Sequence, residues 1–369
     1  MVGLSSSFKG AKNCPSDLGA DVSVLTLADE DFKCRTGHSP GSQHLDRMRR
    51  SAIRTFRFAT LKKIPTSGEG QKYPMKTIGV IAHNKKVLGE GLDQLRSLLA
   101  ERGYPDPLWY EASSSSKTPK LAKKAVAHGA ELLFIWGGDG TVQRCVDAVV
   151  GLDVELALLP AGTANLLANN LKIPLDLEGA LEVGFEGPTR QLDVGVVNGE
   201  CFAVMAGMGF DAIMMEEADG KKKDRFGRLA YVWTGAKATK INARTAKVRV
   251  DGKRWFDGKT TCVLVGQMAE IAKDLSIFPD SDPADSVLEL GVVTAKNLRQ
   301  WAQLFAVTAI GNAHRSPLTR MGQGRLFEIV FDRATPYELD GGARKARKKF
   351  KVRVKPRAIT VHVPAKSPE

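Results

Sequence analysis

Cysteines are few in this chain, and no two of them lie close together. The five cysteines are scattered along the 369 residues at Cys14, Cys34, Cys145, Cys201 and Cys262. This spacing matches neither a zinc site nor a disulfide framework, so it favours the reducing cytoplasm. No run of about 18 apolar residues exists, and the N-terminal segment lacks the apolar core of a secretion signal. We therefore expect no transmembrane helix and contact with a membrane only from its surface.

Acidic residues are also in short supply. The chain has 54 Lys and Arg against 41 Asp and Glu, which gives a formal net charge of +13 and a pI near 9.5. Such an excess of positive charge favours an anionic partner, namely nucleic acid, an acidic membrane surface or a phosphorylated substrate. The hydrophobic content of 43% is ordinary for a globular protein. The length is more than one core comfortably fills, so we expect two domains.

The composition and residue pattern change twice along the chain and divide it into three parts. Residues 1–73 are rich in Ser, Gly, Lys and Arg and lack clear periodicity, so we expect a largely disordered basic extension. Residues 74–190 alternate buried-type strands with helical patterns, which predicts an α/β domain with a parallel sheet. Residues 191–369 consist mainly of short alternating segments and predict an antiparallel β domain.

Turn and cap residues mark the ends of several elements. Gly103 and Gly129 follow amphipathic patterns and are predicted to end two helices. Thr118 is predicted to cap the helix that Pro119 begins. The Asn198-Gly199 pair between two apolar runs predicts a tight β-hairpin.

The segment ELLFIWGGDGT places a glycine loop between a strand and a helix. Gly137, Gly138 and Gly140 surround Asp139 and precede Thr141. Ligands of open α/β sheets bind at the carboxyl ends of the strands, and glycines before a helix suit phosphate. The spacing is neither a Walker A motif nor a dinucleotide fingerprint. A tight strand-to-helix turn is the alternative.

A second loop of the same kind follows the next predicted strand. Pro160, Gly162, Thr163 and Asn165 again lie between an apolar strand and a helix. Two such loops in succession face each other across one crevice, which makes a turn without function the weaker interpretation. Thr163 and Asn165 offer a hydroxyl and an amide to phosphate or ribose.

These two loops resemble the diacylglycerol kinase catalytic-domain family, which comprises lipid kinases, among them the sphingosine and ceramide kinases and bacterial phospholipid-synthesis kinases. The resemblance rests on GGDGT followed by Pro-x-Gly-Thr-x-Asn-x-x-Ala at Pro160–Ala168. Further matching motifs are GMGFDA (207–212), RFGRLAYVWTG (225–235), PDSDPADSVLEL (279–290) and ELDGG (338–342). Together they cover the chain from about Met75 to Pro364.

The resemblance implies both a fold and a reaction. The fold is a three-layer α/β domain with a parallel sheet, similar to NAD kinase and phosphofructokinase, followed by an antiparallel β-sandwich-like domain whose last strands return towards the first. The reaction is transfer of the γ-phosphate of ATP, with Mg²⁺, to the hydroxyl of a diacylglycerol-like or sphingoid lipid in phospholipid metabolism.

The resemblance also implies a set of site residues. Asp340 corresponds to the general base, and Asp139 is expected to organise metal and phosphate, since no lysine follows the loop to neutralise a triphosphate. A structural magnesium ion is expected at Asp282, Asp285 and the carbonyl of Val287. One of the serines 113–116 is expected to contact ATP. The nucleotide-binding residues are Asn84, Gly137, Gly138, Asp139, Gly140, Thr141, Arg144, Gly162, Thr163 and Asn165.

The chain departs from the family pattern at several positions. Arg144 and Gly342 stand where the family commonly has glutamate, and Ser286 replaces a glycine. Of the family's first loop, Asn84 alone matches. Loss of two acids implies weaker metal binding or base assistance, a different substrate, or a lipid-binding relative with little kinase activity. A direct contact of Arg144 with phosphate is a further hypothesis.

Three segments concentrate basic residues, namely 46–63, 221–228 and 343–357. In the last, Phe350, Val352 and Val354 alternate with Lys and Arg, so a strand there has one face in the core and a row of cations outside. The segments predict either peripheral binding of a cytoplasmic protein to an anionic membrane or solvated basic surfaces. Nucleic acid is the less favoured partner because stacking aromatics are not interleaved.

Two rival functions stay open beside that of a nucleic-acid binder, which rests on charge alone. An NAD kinase shares the fold and GGDGT, but the Pro160–Ala168 motif argues against it. A catalytically weak lipid- or nucleotide-binding relative is the second. A homodimer is compatible with the sequence, which predicts no oligomeric state.

Overall fold

The structure is a computed structural model, and it describes residues 76–209, 243–272, 275–309 and 316–365. All of them belong to one compact unit, Tyr73–Glu369. Several predicted features lie outside the described residues, namely the extension 1–73 with its basic segment 46–63, the end of the motif 207–212, the basic segment 221–228 and the motif 225–235.

The first half of the described chain alternates strands and helices. Its elements are β1 Ile78–His83, α1 Leu92–Glu101, β2 Leu108–Ala112, α2 Thr118–Ala127, β3 Leu132–Gly137, α3 Asp139–Val149, β4 Glu155–Pro160, α4 Leu166–Asn170 and α5 Leu177–Glu186. A short 3-10 helix, Ser115–Lys117, leads into α2.

The second half consists mostly of strands. They are β5 Thr189–Val197, β6 Glu200–Phe202, β7 Met205–Met208, β8 Arg244–Val250, β9 Lys253–Thr260, β10 Cys262–Gly266, β11 Glu270–Ala272, β12 Leu275–Ser276, β13 Leu288–Val293, β14 Thr319–Gly324, β15 Leu326–Leu339 and β16 Gly342–His362. Helix α6, Leu298–Ala309, lies between β13 and β14.

The four strands of the first half form a parallel sheet in the order β2-β1-β3-β4. Every residue of β3 is buried, and β1 and β4 are buried along nearly their whole lengths. Burial on both faces explains why these strands appear in the sequence as continuous apolar runs rather than alternating ones. Because the strands are parallel, the loops that follow β1, β2, β3 and β4 all leave the same edge of the sheet.

The strands of the second half pair antiparallel, which together with the parallel part confirms the predicted fold class. The predicted hairpin joins β5 to β6, with Val197 paired to Glu200. Its turn residues Asn198 and Gly199 have φ values of 50° and 99°, as a type I′ turn requires.

Strand β16 connects the two groups of strands. Up to Lys355 it pairs with β15 and β5, and beyond Arg357 its residues Thr360 and Val361 pair in parallel with β4. Arg357 has a φ of 42°, where the strand bends, and its N–H donates to Asp193 Oδ1 at 2.8 Å. Through this strand 14 of the described strands form one mixed sheet, while β11 and β12 pair separately. The buried side chains pack into two hydrophobic clusters.

The helix ends agree with the predicted signals except at one position. Gly103 and Gly129 follow α1 and α2 with φ values of 88° and 90°. Thr118 is not the cap of α2, because the preceding 3-10 helix runs directly into it and Thr118 is already helical. Its hydroxyl donates to the carbonyl of Ser115 at 2.6 Å. Among the helices in the described ranges, none has the length and apolar character to cross a bilayer.

Candidate functional site

The loops predicted to bind a nucleotide meet at the carboxyl edge of the parallel sheet. Asn84 directly follows β1, the serines 113–116 follow β2, the glycine loop follows β3, and the segment 161–165 follows β4. Asn84 is exposed, and its N–H donates to the carbonyl of Ala112 at 3.0 Å. The sheet topology therefore brings together the four predicted loops from separate parts of the sequence.

The loops after β3 and β4 touch through their backbones. A Cβ atom added to Gly162 would lie 2.4 Å from the Cα of Gly138, and one added to Gly138 would lie 3.0 Å from the Cα of Gly162. Neither contact leaves room for a side chain, and neither backbone can withdraw without separating the loops. The close approach of two chains is the physical reason for glycine at both positions.

Asp139 joins the same two loops by hydrogen bonds. Its Oδ2 accepts from the N–H of Asn165 at 3.1 Å, and its Oδ1 accepts from the N–H of Leu166 at 2.5 Å. Asp139 is also the first residue of α3, where a negative charge is favourable near the helix N-terminus. An acid in a glycine loop is thus accounted for within the protein itself. A contact of Asp139 with metal remains a prediction.

Asn165 shapes its own loop. It has a left-handed backbone, with φ 47°, and it is buried. Its Oδ1 accepts from Gly162 N–H at 2.9 Å, and its Nδ2 donates to the carbonyls of Pro160 and Gly162, each at 3.1 Å. Both amide hydrogens of Asn165 are therefore used within the loop, and its contact with a nucleotide stays a prediction. Exposed Thr163 presents its hydroxyl at the tip of this loop.

Thr141 is held within the glycine loop by both its backbone and its side chain. Its N–H donates to the carbonyl of Gly138 at 2.8 Å, within the first turn of α3. Its side chain is buried against Gly137, where an added Cβ would lie 2.5 Å from the Thr141 Cβ. The N–H and the side chain of Thr141 are therefore both engaged within the loop, and its contact with a nucleotide stays a prediction.

Among the four serines after β2, Ser115 is the one that faces the glycine loop. A Cβ added to Gly140 would lie 3.7 Å from Ser115 Oγ. The hydroxyls of Ser114 and Ser116 bond each other at 2.9 Å, and Ser113 accepts from Lys117 Nζ at 3.3 Å. Adjacent serines look alike in the sequence, so the choice of Ser115 required the three-dimensional arrangement.

Asp340 lies in the tight turn between β15 and β16. With Gly341 it forms a two-residue turn in which both φ values are positive, 46° and 76°. Its carboxylate is buried and accepts three backbone N–H groups, from Ala203 at 2.7 Å and from Val204 and Met205 at 2.9 Å each. Burial raises the pKa of Asp340 to about 6, the three N–H groups oppose this rise, and the charge of Asp139 adds to it.

A cluster of charges that sequence reasoning missed lies beside this turn. Arg344 donates through Nε to both oxygens of Glu200, at 2.8 and 2.9 Å, and also bonds Glu200 through Nη2. Nη2 donates further to Gln143 Oε1 of α3 at 3.0 Å. Burial alone would raise the pKa of Glu200, but the hydrogen bonds and charge of Arg344, with the charge of Arg144, lower it.

The cluster connects elements far apart in the sequence. Gln143 Nε2 donates to the carbonyl of Cys201 at 2.6 Å, and Asp147 Oδ1 accepts from the N–H of the same residue at 2.8 Å. Helix α3, the β5–β6 hairpin and the β15–β16 turn are thereby held together. Arg144, predicted to bind the nucleotide, lies at the edge of this cluster, with Nη1 4.0 Å from Glu200 Oε1.

The residues predicted to bind magnesium in the second half form an acidic loop before β13. Asp282 pairs with Arg190 at 2.6 Å, and Asp285 accepts from Val287 N–H at 2.9 Å. Burial and the charges of Asp285 and Asp280 raise the pKa of Glu289 at the edge of this loop. Within the described ranges, no group of three or more His, Cys, Asp or Glu side chains is arranged to hold a metal. Carboxylate and carbonyl oxygens are the donor types that Mg²⁺ takes beside its waters, and a magnesium ion at this loop stays a prediction.

Asp193 is a second residue that the sequence did not reveal. This buried carboxylate accepts from Ser286 N–H at 2.6 Å and from Arg357 N–H at 2.8 Å. Both donors have left-handed backbones, with φ values of 66° and 42°. Ser286 thus occupies a conformation that favours glycine, which is the residue expected there from the resemblance.

Comparison with known proteins identifies both halves of the chain. The profile of the diacylglycerol kinase catalytic domain matches residues 81–197, and that of the YegS C-terminal NAD kinase beta sandwich-like domain matches residues 204–363. A probable lipid kinase YegS-like from Enterobacter sp. (strain 638) is 27% identical over 255 residues, covering 68% of this chain and 83% of its own. A diacylglycerol kinase from Bacillus subtilis (strain 168) is 26% identical over 231 residues, covering 62% and 76%.

The fold also matches a solved structure. The crystal structure of a putative diacylglycerol kinase from Bacillus anthracis str. Sterne superimposes with a TM-score of 0.69 at 18% identity. The match covers 81% of this chain and all of the other. At this identity the likeness establishes the fold.

Replacing Asp139 with asparagine tests the hydrogen bonds that join the two loops. We expect Asp139→Asn to present an N–H to a backbone N–H, to lower the free energy of unfolding by about 1–3 kcal/mol and to speed hydrogen exchange across residues 162–168. Mass spectrometry of exchanged peptides and thermal unfolding measure both effects. Asp93→Asn is the matched control, since Asp93 is an exposed acid in the first turn of α1. Unchanged exchange across residues 162–168 in Asp139→Asn would contradict this role.

Proposed function

Because the chain belongs to the diacylglycerol kinase catalytic-domain family of lipid kinases, we propose that it transfers the γ-phosphate of ATP to a hydroxyl of a diacylglycerol-like or sphingoid lipid, in phospholipid metabolism. The observation that carries the proposal is the pairing of two phosphate-type loops beside a buried carboxylate. Helix α3, which begins at Asp139, is tied to the strand that follows Asp340 by the hydrogen bond from Arg344 to Gln143 at 3.0 Å, and the charge of Asp139 helps to raise the pKa of Asp340.

In this proposal the triphosphate lies on the joined loops. The backbone N–H groups of Gly138, Asp139 and Gly140, which precede the first hydrogen bonds of α3, and the hydroxyl of Thr163 bind the phosphates, and the N-terminus of α3 adds partial positive charge. Ser115 and Asn84 contact the nucleotide from the neighbouring loops. Mg²⁺ would supply charge neutralisation to the phosphates, and Asp139, the carboxylate of the joined loops, would help to hold it.

Asp340 serves as the general base. A lipid hydroxyl is a weak nucleophile, and the carboxylate takes its proton while the hydroxyl oxygen bonds to the γ-phosphorus and the bond to ADP breaks. A pKa of about 6 leaves most of the carboxylate ionised at neutral pH while keeping it a useful base. The three N–H groups from Ala203 to Met205 fix its orientation.

The magnesium ion of the second half is proposed to have a structural role. Asp282, Asp285 and the carbonyl of Val287 would hold it, at the loop that Ser286 ties to Asp193. The two domains are proposed to divide between residues 74–190, which bind the nucleotide, and residues 191–369, which supply most of the lipid site.

Two departures from the family pattern favour one alternative, a family member with weaker kinase activity. Arg144 and Gly342 remove two carboxylates that the family commonly has near the transferred phosphate. A lipid- or nucleotide-binding protein with little kinase activity would carry such changes. The kinase assay described below separates this alternative, and phosphorylation of NAD, from phosphorylation of a lipid.

A basic sheet surface supports peripheral binding to an anionic membrane. In β16, exposed Lys349, Lys351 and Arg353 alternate with buried residues, as predicted for this segment. Lys247 and Arg249 of β8 lie on the other side of β15 in the same sheet and are exposed. These five side chains define the basic face, in which Arg249 is 3.6 Å from Glu328 of β15. Each further cation near an anionic bilayer contributes about 1 kcal/mol.

A lipid-panel assay with radiolabelled ATP and Mg²⁺ tests the reaction. We expect the wild-type chain to phosphorylate a diacylglycerol or sphingoid lipid and Asp340→Asn to be slower by at least about 100-fold, because the base is lost. The wild-type rate should rise with pH up to about 6 and then level off, since the base acts when deprotonated. Asp106→Asn, which changes an exposed acid, is the control.

The outcomes of this assay are distinct. Because Asp340 also holds three N–H groups, ATP binding and thermal unfolding of Asp340→Asn must show that the variant is folded. Product from NAD but from no lipid would replace the proposal with an NAD kinase. Wild-type product no greater than that of folded Asp340→Asn would favour the binding protein.

Vesicle binding tests the basic face. We expect Lys351→Gln/Arg353→Gln to weaken binding to vesicles containing phosphatidylglycerol by about 30-fold, corresponding to two charges. The matched control is Lys120→Gln/Lys123→Gln, which removes two exposed cations from α2. Sedimentation of vesicles measures the bound fraction. Equal losses in both pairs would show that overall charge, not this face, is responsible. Strong salt-sensitive DNA binding without vesicle binding would favour nucleic acid.

A further inference from the structure

Arg144 lies one helical turn beyond the glycine loop. Gly140 and Arg144 are four positions apart in α3, so they share one helix face with a rise of about 6 Å between them. Side chains on a helix lean towards its N-terminus, which directs Arg144 back along this face towards the proposed phosphates. Its side chain keeps 33% of its surface exposed, so a ligand can reach it.

The carboxylate next to Arg144 is already matched by another cation. Arg344 approaches both oxygens of Glu200 and is more deeply placed, with 13% of its side chain exposed. Arg144 reaches Glu200 at 4.0 Å, which is beyond hydrogen-bonding distance. Two guanidinium groups therefore share one carboxylate. Arg144 is the outer of the two and keeps its donors for another anion.

The other carboxylates of the candidate site are also engaged. Asp139 accepts two backbone N–H groups, Asp340 accepts three, and Asp147 accepts one. In the described part of the chain, the distant contact with Glu200 is the polar contact found for Arg144. The excess positive charge of the cluster therefore lies on Arg144, the more exposed of its two arginines.

The two departures from the family pattern belong to this one cluster. A Cβ added to Gly342 would lie 2.8 Å from Arg344 Nη1 and 3.2 Å from the carbonyl of Leu339. Any side chain at this position would require the guanidinium of Arg344 to shift, and that guanidinium also donates to the carbonyl of Gly342 at 2.9 Å. Glycine at position 342 thus leaves room for Arg344, which pairs with Glu200 and leaves the donors of Arg144 available.

We propose that Arg144 binds the terminal phosphates of the nucleoside triphosphate directly, with Glu200 and Arg344 as positioning residues. This inference rests on the proposed function and deepens it. A guanidinium offers planar pairs of N–H donors that match phosphate oxygens. In this chain Arg144 takes over part of the neutralisation that the magnesium ion would otherwise supply alone, so the site retains affinity for metal-free ATP.

Binding of ATP with and without metal tests the proposal. Calorimetric titrations in EDTA and in Mg²⁺ compare wild type with Arg144→Gln, Arg144→Lys and Arg144→Glu. We expect Arg144→Gln to bind metal-free ATP at least about tenfold more weakly, Arg144→Lys to recover part of the loss, and Arg144→Glu to bind ATP only with Mg²⁺. Arg254→Gln, which removes a guanidinium 77% exposed on β9, should behave as wild type.

AMP provides the internal control for folding, because it lacks the terminal phosphates. Its affinity should be the same in wild type and all Arg144 variants. Glu200→Gln should lower ATP affinity without changing AMP affinity, because the charge of Glu200 holds Arg344 and Arg144 in position. Wild-type affinity for metal-free ATP in Arg144→Gln, or an equal loss for AMP, overturns this inference alone. Absence of ATP binding by the wild type under both conditions overturns the proposed function as well.

Discussion

The candidate site depends on the hydrogen bonds between the carboxylate of Asp139 and the backbone of the neighbouring loop. Two loops that leave separate strands must lie against each other, and at Gly138 and Gly162 nothing but backbone fits between them. The N–H groups of Asn165 and Leu166 would point at that contact without an acceptor if Asp139 were absent. A negative charge in a phosphate-type loop is therefore compatible with phosphate, because backbone donors of the second loop already satisfy it.

The predictable part of the structure is local in the sequence. Apolar runs of the right length between helical patterns predicted the parallel sheet, and parallel strands necessarily bring their carboxyl ends to one edge. Gly138 and Gly162 indicated positions where the backbone lies close to a neighbouring group. The sequence did not reveal that each is the other's neighbour. The sequence likewise did not reveal that the amide of Asn165 makes three hydrogen bonds inside its own loop.

Contacts between distant segments could not be predicted in this way. Glu200 and Arg344 are ordinary surface-type residues 144 positions apart, and neither belongs to a recognisable motif. Their pairing requires the β5–β6 hairpin and the β15–β16 turn to meet over α3. The acids missing at Arg144 and Gly342 looked like two separate losses in the sequence. In the structure Arg144 and Gly342 belong to one cluster, in which two arginines share the carboxylate of Glu200. Ser115 was likewise indistinguishable from its neighbours until Gly140 was placed beside it.

A crystal structure with Mg²⁺ and a non-hydrolysable ATP analogue tests the central role of Asp139 most directly. We expect the triphosphate to lie along Gly138–Gly140 and Thr163. The Asp139 oxygens should still accept from the N–H groups of Asn165 and Leu166, with the loops in contact. A structure in which Asp139 has left both N–H groups, the loops have separated, or the triphosphate lies away from them would contradict it.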